Sequence, residues 1–221
     1  MTLSVLGIST SPRADGNSDL LLREALRGAA SAGADADSLT LRGLRILPCG
    51  ECYACARTGR CCLKDDFDGV LDRLLAADRL IVATPVFFMA VCAQAKLLID
   101  RCQCLWSRKY LLKQPLFPDG PRDRRALVIA VGGSRSRRMF ESVRLTMKYW
   151  FDVLEVGCFA NLFVNGVDAR GDARNRPEAL REAFRLGAAL AAATPMPEAP
   201  VTVEIFEPAA AARPGGETDG R

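Results

Sequence analysis

The sequence predicts an α/β fold in which a five-stranded parallel sheet carries helices on both faces. Short apolar runs of strand length alternate along the chain with longer stretches whose apolar residues recur at helical spacing. Loops rich in Ser, Thr, Pro and Gly interrupt this alternation. Strands that alternate with helices indicate βαβ units, and such units build a parallel sheet that is covered on both sides.

Each predicted strand is a short, mostly apolar run bounded by turn residues, and the five runs cover 3–8, 37–44, 80–84, 126–131 and 157–164. Each predicted helix presents apolar residues on one face, and the five helices cover 19–32, 66–76, 93–104, 140–154 and 177–193. We expect Asn17 or Ser18 to cap the first helix and Pro177 to open the last. Pro85 is expected to stop the third strand.

The length of the chain predicts one domain. At 221 residues it can build a substantial core. We expect this domain to span residues 1–193, with an inserted cysteine loop at 48–63. The segment 194–221 is rich in Pro, Ala and Gly and is expected to be mostly disordered, apart from a short strand at 201–206.

Composition excludes several classes of function. The chain has no histidine, which removes imidazole metal ligands, Ser-His triads and histidine acid–base catalysis. The net charge of +4 is scattered along the chain, so no nucleic-acid partner is predicted. No apolar stretch approaches a membrane span, and the N-terminus lacks the basic region of a signal peptide. Nine cysteines in such a chain favour thiols or metal ligands, so we expect a cytoplasmic location.

Four cysteines in the inserted loop have the spacing of a metal site. Cys49, Cys52 and Cys55 lie at intervals of three residues, and Cys61 follows six residues later. Such spacing lets one loop present several thiolates to a [4Fe–4S] cluster. Structural zinc more often uses two separated C-x-x-C pairs. The spacing favours the cluster and leaves zinc and unligated thiols as alternatives.

Three loops that follow predicted strands form a candidate cofactor site, because open α/β sheets bind ligands beyond the carboxyl ends of their strands. Loop 9–18 brings hydroxyls, backbone N–H groups, an arginine and a helix N-terminus together, which suits a phosphate monoester. It contains neither G-x-G-x-x-G nor G-K-[ST], so a dinucleotide or nucleoside triphosphate is not predicted. Loop 84–89 offers apolar side chains that suit the edge of a flat aromatic ring, and loop 132–135 follows the fourth strand.

Segments 7–18 and 84–101 resemble the phosphate loop and the second flavin loop of NAD(P)H-dependent FMN reductases. With the cysteine run between them, the chain is similar over about residues 3–190 to the iron–sulfur flavoproteins, the branch with one FMN and one [4Fe–4S] cluster per subunit. The resemblance implies a flavodoxin-like fold. It also implies residues for the FMN phosphate, namely Ser9, Ser11, Arg13, Asn17 and Ser18. The ribityl chain and isoalloxazine would contact Thr84, Pro85, Val86, Phe87, Phe88, Gly132 and Gly133. The cluster ligands would be Cys49, Cys52, Cys55 and Cys61.

Two features depart from the family pattern. Phe87, Phe88 and Met89 stand where many relatives have Tyr-Phe/Trp-Gly, so we expect a bulkier and drier face over the flavin. An ordinary core or a dimer surface is the alternative for these three residues. Cys62 directly follows Cys61, so C-x5-C and C-x6-C both fit and the fourth ligand stays open.

The remaining cysteines are expected to be small buried apolar groups; they are Cys92, Cys102, Cys104 and Cys158. Arg135, Arg137 and Arg138 could form an anion site, although a solvated helix start is the simpler interpretation. No catalytic acid or base is identified.

The resemblance implies an oxidoreductase in which FMN exchanges a hydride with a small organic substrate and the cluster relays single electrons. One relative with this cofactor pair oxidises 2-amino-4-deoxychorismate to 3-enolpyruvoylanthranilate in an enediyne antibiotic pathway, and that reaction is the most specific hypothesis. The alternatives are a general reductase of quinones or oxygen that uses NAD(P)H or ferredoxin, and a non-enzymatic electron carrier or redox sensor. Relatives pair their subunits, so a homo-oligomer is expected.

Overall fold

The structure is a computed structural model, and it describes residues 2–192 and 195–206. The strands are β1 (Ser4–Ser9), β2 (Asp35–Thr40), β3 (Arg79–Phe87), β4 (Ala90–Val91), β5 (Arg125–Val131), β6 (Gly157–Val164) and β7 (Val201–Ile205). The helices are α1 (Asn17–Ser31), α2 (Cys55–Thr58), α3 (Phe67–Ala76), α4 (Ala93–Arg101), α5 (Gln103–Trp106), α6 (Glu141–Leu154) and α7 (Pro177–Ala191). A π-helical turn follows α5 at Ser107–Leu111, and 3-10 turns cover Arg137–Phe140 and Asp172–Asn175.

The described strands form one sheet in the order β2-β1-β3-β5-β6-β7, and β4 pairs antiparallel with the end of β3. Apart from that pairing all neighbours are parallel. The first five strands in this order follow the 2-1-3-4-5 arrangement of flavodoxin-like proteins, so the predicted fold class is confirmed. The direction of winding reverses between β1 and β3, and ligands bind at such a switch point in open α/β sheets.

Apolar side chains on both faces of the sheet bury two separate layers of helices. On β3, Leu80 and Val82 belong to the core under α3, α4 and α6, whereas Ile81 and Ala83 belong to the core under α1 and α7. Successive residues of a strand point to opposite faces. A strand buried on both faces is therefore apolar at nearly every position, which is the pattern that the sequence shows.

Helices α1 and α7 cross at two glycines. A Cβ on Gly187 would lie 1.9 Å from the carbonyl oxygen of Ala25, and a Cβ on Gly28 would lie 2.0 Å from that of Phe184. Neither position has room for a side chain, so glycine is required for the close approach. This crossing holds α1 firmly against the sheet and fixes where its N-terminus lies.

Two element boundaries differ from the expectations, and one expected strand is confirmed. β3 continues past Pro85, because the proline ends the ladder with β5 at its pair with Val131 and the chain then enters a hairpin with β4. The helix expected over 93–104 breaks at Cys102 into α4 and α5. The short strand expected at 201–206 is present as β7 and extends the sheet beyond the five predicted strands. Residues 193–194 and 207–221 of the predicted last helix and tail lie outside the described residues.

Candidate functional site: an anion cleft and a cysteine cavity

A small cleft lies at the carboxyl ends of β1, β3, β5 and β6. Its walls come from the last residues of β3 and β5 and from the segments that follow the four strands, and they comprise residues from 11–18, 85–87, 131–133 and 167–170. Its volume is about 60 Å³, well below the roughly 300–1,000 Å³ of most small-molecule sites. The cleft therefore suits a phosphate-sized group, and a larger ligand would extend from it over the open rim.

Helix α1 begins beside this cleft with donors that lack partners. Gly16 is its N-cap, and within the described residues no side chain caps the first turn. The expectation that Asn17 or Ser18 caps α1 is therefore wrong. The Ser18 hydroxyl is 1% exposed and has no hydrogen-bond partner in the described part of the chain. A buried unpaired hydroxyl costs free energy until a ligand pairs with it, and a helix N-terminus favours an anion.

The side chain of Asn17 makes three hydrogen bonds within the protein. Its amide nitrogen donates to the carbonyl of Ala169 at 2.9 Å, and its carbonyl oxygen accepts from the N–H groups of Gly171 and Ala173 at 3.1 and 3.0 Å. Asn17 therefore fixes the loop after β6 against α1. Asn17, at the first turn of α1, is also one of the residues that line the cleft.

Ser9 and Thr84 also make internal contacts at the ends of their strands. The Ser9 hydroxyl donates to the carboxylate of Asp19, and the Thr84 hydroxyl donates to the carbonyl of Pro85 at 3.0 Å. Both residues are buried, and neither lines the cleft. In this structure they brace the two loops that carry Ser11, Ser18 and Phe87.

Ser11 and Arg13 form the outer wall of the cleft. The Ser11 hydroxyl accepts from the Arg13 N–H at 3.1 Å and donates to the Arg13 carbonyl at 3.0 Å, which closes a tight turn. The Arg13 guanidinium reaches across to donate to the carbonyl of Asp168 at 3.2 Å. This contact joins the first loop to the loop after β6.

Sequence reasoning missed the loop after β6, which contributes Val167, Asp168 and Arg170 to the cleft. The sequence contains a signal for this loop. All strands of a parallel sheet end at one edge, so the polar segment that follows the predicted strand 157–164 must lie near the other loops at that edge.

The tip of the β3–β4 hairpin is strained and fully exposed. Phe88 and Met89 have φ angles of 48° and 62°, and the Phe88 side chain is 104% exposed. A two-residue turn with both φ angles positive normally carries Asn-Gly, because bulky residues in this region cost about 1–3 kcal/mol each. The Ser142 hydroxyl of α6 donates to the Met89 carbonyl and helps to hold the turn. Phe87, half exposed, lines the cleft beside this tip.

Gly132 and Gly133 allow two neighbours to approach the cleft closely. A Cβ on Gly132 would lie 2.8 Å from the Met139 sulfur, and a Cβ on Gly133 would lie 2.8 Å from Cβ of Asp168. The Gly132 N–H donates to the carbonyl of Val164 at 3.0 Å. The loop after β5 therefore has no side chain at two of the positions that line the cleft.

The cysteine loop lines a second and larger cavity of about 680 Å³, which lies against α4, α5 and α6. Five thiols of the loop face it: Cys49, Cys52, Cys55, Cys61 and Cys62. The Sγ atoms of Cys52 and Cys62 are 3.4 Å apart, and the Cys61 Sγ accepts from Nε of Arg101 at 3.3 Å. The N–H of Ala54, together with the Cys62 thiol, lowers the pKa of Cys52 below its usual range.

These thiols match a cluster in their chemistry, although they do not form a site for a single ion. Within residues 2–192 and 195–206, no three His, Cys, Asp or Glu side chains converge as metal ligands. Zinc would require four ligands at about 2.3 Å from one centre. An iron–sulfur cluster takes soft thiolates on separate irons, so its ligands are spread around it. Because Cys52 and Cys62 are in contact, they could not serve two irons without moving apart.

The other cysteines are buried or half buried, as expected. Burial raises the pKa of Cys102 and of Cys104 to about 12, and that of Cys158 to about 11. They therefore remain protonated thiols at neutral pH. Cys102 and Cys104 also line the cysteine cavity, as apolar walls.

Helix α6 lines the cysteine cavity and contacts the tip of the β3–β4 hairpin. Thr146, Tyr149 and Trp150 face the cavity, while the Ser142 hydroxyl in the first turn donates to the Met89 carbonyl. Helix α6 therefore connects the cavity to the hairpin, whose residue Phe87 lines the cleft. No helix in the described ranges is long and apolar enough to cross a bilayer.

The order of the strands, with a cleft at the switch point, defines a flavodoxin-like fold. A family model described as NADPH-dependent FMN reductase matches residues 3–165. The chain belongs to this family.

Two curated relatives of this chain are named iron–sulfur flavoproteins. An iron–sulfur flavoprotein of Methanocaldococcus jannaschii is 41% identical over 103 residues, which cover 47% of this chain and 53% of that protein. An iron–sulfur flavoprotein of Methanosarcina thermophila is 32% identical over 134 residues, covering 61% and 65%. The chain thus spans between about half and two thirds of the length of these relatives.

Solved structures agree with the fold. A flavone reductase superposes with a TM-score of 0.64 at 22% identity, covering 86% of this chain and 62% of that one. An NAD(P)H:quinone oxidoreductase from Methanothermobacter marburgensis also gives a TM-score of 0.64, at 19% identity, covering 88% and 100%. At these identities the likeness establishes the architecture.

Proposed function

We propose that this protein is an FMN-dependent oxidoreductase whose cysteine loop holds a [4Fe–4S] cluster. The observation that carries the proposal is that a member of the FMN reductase family has both a cleft at the switch point of its sheet and a separate cavity lined by the five thiols of the cysteine loop. The names of the two iron–sulfur flavoproteins support the cluster.

The FMN phosphate would bind at the start of α1. The buried Ser18 hydroxyl, which lacks a partner among the described residues, is the strongest argument for this position. The proposed phosphate residues are Ser9, Ser11, Arg13, Asn17 and Ser18, with Ser9 and Asn17 shaping the loop. The ribityl chain and the ring would follow Thr84, Pro85, Val86, Phe87, Phe88, Gly132 and Gly133.

The proposed cluster ligands are Cys49, Cys52, Cys55 and Cys61. When both groups are bound, FMN supplies hydride exchange and the cluster supplies one-electron transfer. The chain itself would bind and orient the two groups and exclude water from them. Phe87 at the cleft and the exposed Phe88 and Met89 beyond it would cover the ring with apolar surface. With no histidine in the chain, we assign no residue as a catalytic acid or base.

The organic substrate is proposed to be a small molecule that exchanges a hydride with the flavin. The most specific candidate is 2-amino-4-deoxychorismate, oxidised to 3-enolpyruvoylanthranilate in antibiotic biosynthesis. The family description supports NADPH as the reductant of a more general reductase acting on quinones or oxygen. Ferredoxin is a further candidate partner, and a homo-oligomer in the cytoplasm remains a prediction.

Anaerobic reduction of the purified protein tests the proposal. NADPH and 2-amino-4-deoxychorismate are added separately while flavin absorbance and the electron paramagnetic resonance of the cluster are followed. We expect one of the two to bleach the flavin and to produce the signal of a reduced cluster. The Cys52→Ser variant should keep flavin bleaching and lose the cluster signal, whereas Cys158→Ser, outside the loop, should keep both. Flavin bleaching in the parent protein with no cluster signal under any reductant would contradict the proposal.

A further inference from the structure

A fully buried ion pair lies at the base of the cysteine loop. The side chains of Arg101 in α4 and Asp65 are both 0% exposed. Their two contacts, Nη1 to Oδ2 at 2.6 Å and Nη2 to Oδ1 at 3.1 Å, form a fork. The guanidinium also lies over the Phe67 ring, 4.5 Å from its centroid. Removing two charges from water costs free energy, which offsets much of the attraction between them. We therefore consider what this pair does for the position of the loop.

The pair joins both ends of the loop. Leu47 lies just before Cys49, and its N–H donates to Asp65 at 2.8 Å while its carbonyl accepts from Arg101 at 2.9 Å. Asp65 lies just after Cys62 and also accepts from the N–H of Phe67 at 3.1 Å. The two ends of the loop are therefore clamped to each other and to α4.

One further guanidinium donor points into the cysteine cavity. Nε of Arg101 donates to Sγ of Cys61 at 3.3 Å, whereas the next thiol along, Cys62, contacts Cys52. A hydrogen bond from a cation is stronger than one between neutral groups, and it favours the deprotonated thiolate that a metal requires. The two adjacent cysteines are thus placed in different environments.

We infer that Arg101 is a positioning residue for the cluster: it selects Cys61 over Cys62 as the fourth thiolate ligand and raises the reduction potential of the cluster. The inference rests on the proposed function. Reduction adds one negative charge to the cluster and its ligands, and a fixed cationic donor at a ligand sulfur stabilises that charge. Cys62 would then lie beside the cluster without binding iron.

The first test is a redox titration of the holoprotein, with the cluster followed by electron paramagnetic resonance. We expect Arg101→Gln to shift the potential to more negative values. Arg101→Lys keeps the charge but cannot serve Asp65, Leu47 and Cys61 together, so it should shift the potential in the same direction by less. If Arg101→Gln does not fold, Arg101→Lys decides the question.

Arg124→Gln is the matched control. Arg124 is also a buried arginine, and it donates to the carbonyls of Ala77 and Leu154 at 2.9 and 2.6 Å. Its loss should lower the unfolding temperature and leave the cluster potential unchanged. Equal potentials for the parent protein, Arg101→Gln and Arg101→Lys would overturn the inference, as would an equal shift in Arg124→Gln.

The second test counts iron and acid-labile sulfide in Cys61→Ser and Cys62→Ser. We expect Cys61→Ser to lose the cluster or to change its spectrum, and Cys62→Ser to keep both content and spectrum. The reverse result would overturn the inference and leave the proposed function standing. Absence of iron from the parent protein after anaerobic reconstitution would instead remove the proposed function, and the inference with it.

Discussion

The anion cleft and the cysteine loop are built by different means. The cleft stands on the ends of four parallel strands and on α1, which two glycines hold against α7. The cysteine loop contains one short helix, α2, and its ends are tied through the buried pair of Arg101 and Asp65. Regular secondary structure thus positions the cleft, whereas a few specific polar contacts position the thiols. A single substitution should therefore damage the loop more selectively than the cleft.

Asp65→Asn should have the largest effect. It leaves the Arg101 charge buried without a counterion, which typically costs about 3–5 kcal/mol. Asp37→Asn is the control, because the pair of Asp37 with Arg73 is exposed and should be worth less than about 1 kcal/mol. Urea unfolding of the cofactor-free proteins at neutral pH measures both changes. A cost below about 1 kcal/mol for Asp65→Asn would show that the pair does not hold the loop.

The same pair predicts a dependence on pH. Burial alone raises the pKa of Asp65, but hydrogen bonds from Arg101 and from the N–H groups of Leu47 and Phe67 outweigh it and bring the pKa to about 2. The ordinary value is 3.8. A carboxyl with a lowered pKa contributes stability above its unfolded pKa, and this contribution is lost as the pH falls through the folded pKa. The stability difference between the parent protein and Asp65→Asn should therefore shrink, by roughly 2 kcal/mol, between about pH 4 and pH 2. A difference that stays constant over this range would contradict the assignment.

Gly187→Ala should disturb the cleft through its scaffold. The added Cβ would lie 1.9 Å from the Ala25 carbonyl, so α1 must move away from α7. We expect a loss of about 1–3 kcal/mol of unfolding free energy together with weaker FMN binding. Gly69→Ala in α3 is the control, because a Cβ there meets nothing within 4 Å, and it should gain about 0.4–1 kcal/mol. Thermal unfolding and FMN titration distinguish the two, and equal stabilities would contradict the packing argument.

Ser18→Ala should weaken FMN binding without destabilising the protein. The hydroxyl is buried and lacks a partner in the described structure, so its removal costs the free protein little. A hydrogen bond to a charged phosphate is worth about 1.5–3 kcal/mol, which predicts roughly 10- to 100-fold weaker binding. Ser31→Ala, at the other end of α1, should leave the affinity unchanged. Quenching of FMN fluorescence gives both affinities, and equal affinity in Ser18→Ala would place the phosphate elsewhere.

Phe88→Gly should stabilise the protein slightly, whereas Asp65→Asn and Gly187→Ala should destabilise it. Glycine adopts positive φ without strain, so we expect a gain of about 1 kcal/mol. If the strained tip covers the flavin, FMN should bind less tightly in this variant. Lys113→Gly relieves a similar φ of 53° outside the cleft and should affect stability alone. A Phe88→Gly variant with unchanged FMN binding would remove the tip from the site.

The difference between the two regions also explains what the sequence could predict. The alternation of apolar runs and amphipathic stretches predicts the sheet, and the ends of the predicted strands predict the position of the cleft, because both follow from local pattern. The role of Asn17 in holding the loop after β6 does not follow from local pattern, since the partners of Asn17 lie more than 150 positions away in the sequence. Arg101 likewise looks like an ordinary helix-end cation until the fold places Asp65 and Cys61 around it. Contacts between distant segments decide these roles.

The most direct measurement is the cofactor content of the protein purified without oxygen. We predict, for each chain, one FMN together with about four iron and four acid-labile sulfide ions, the content of one [4Fe–4S] cluster. One FMN without iron or sulfide, in protein that is otherwise folded, would contradict this prediction.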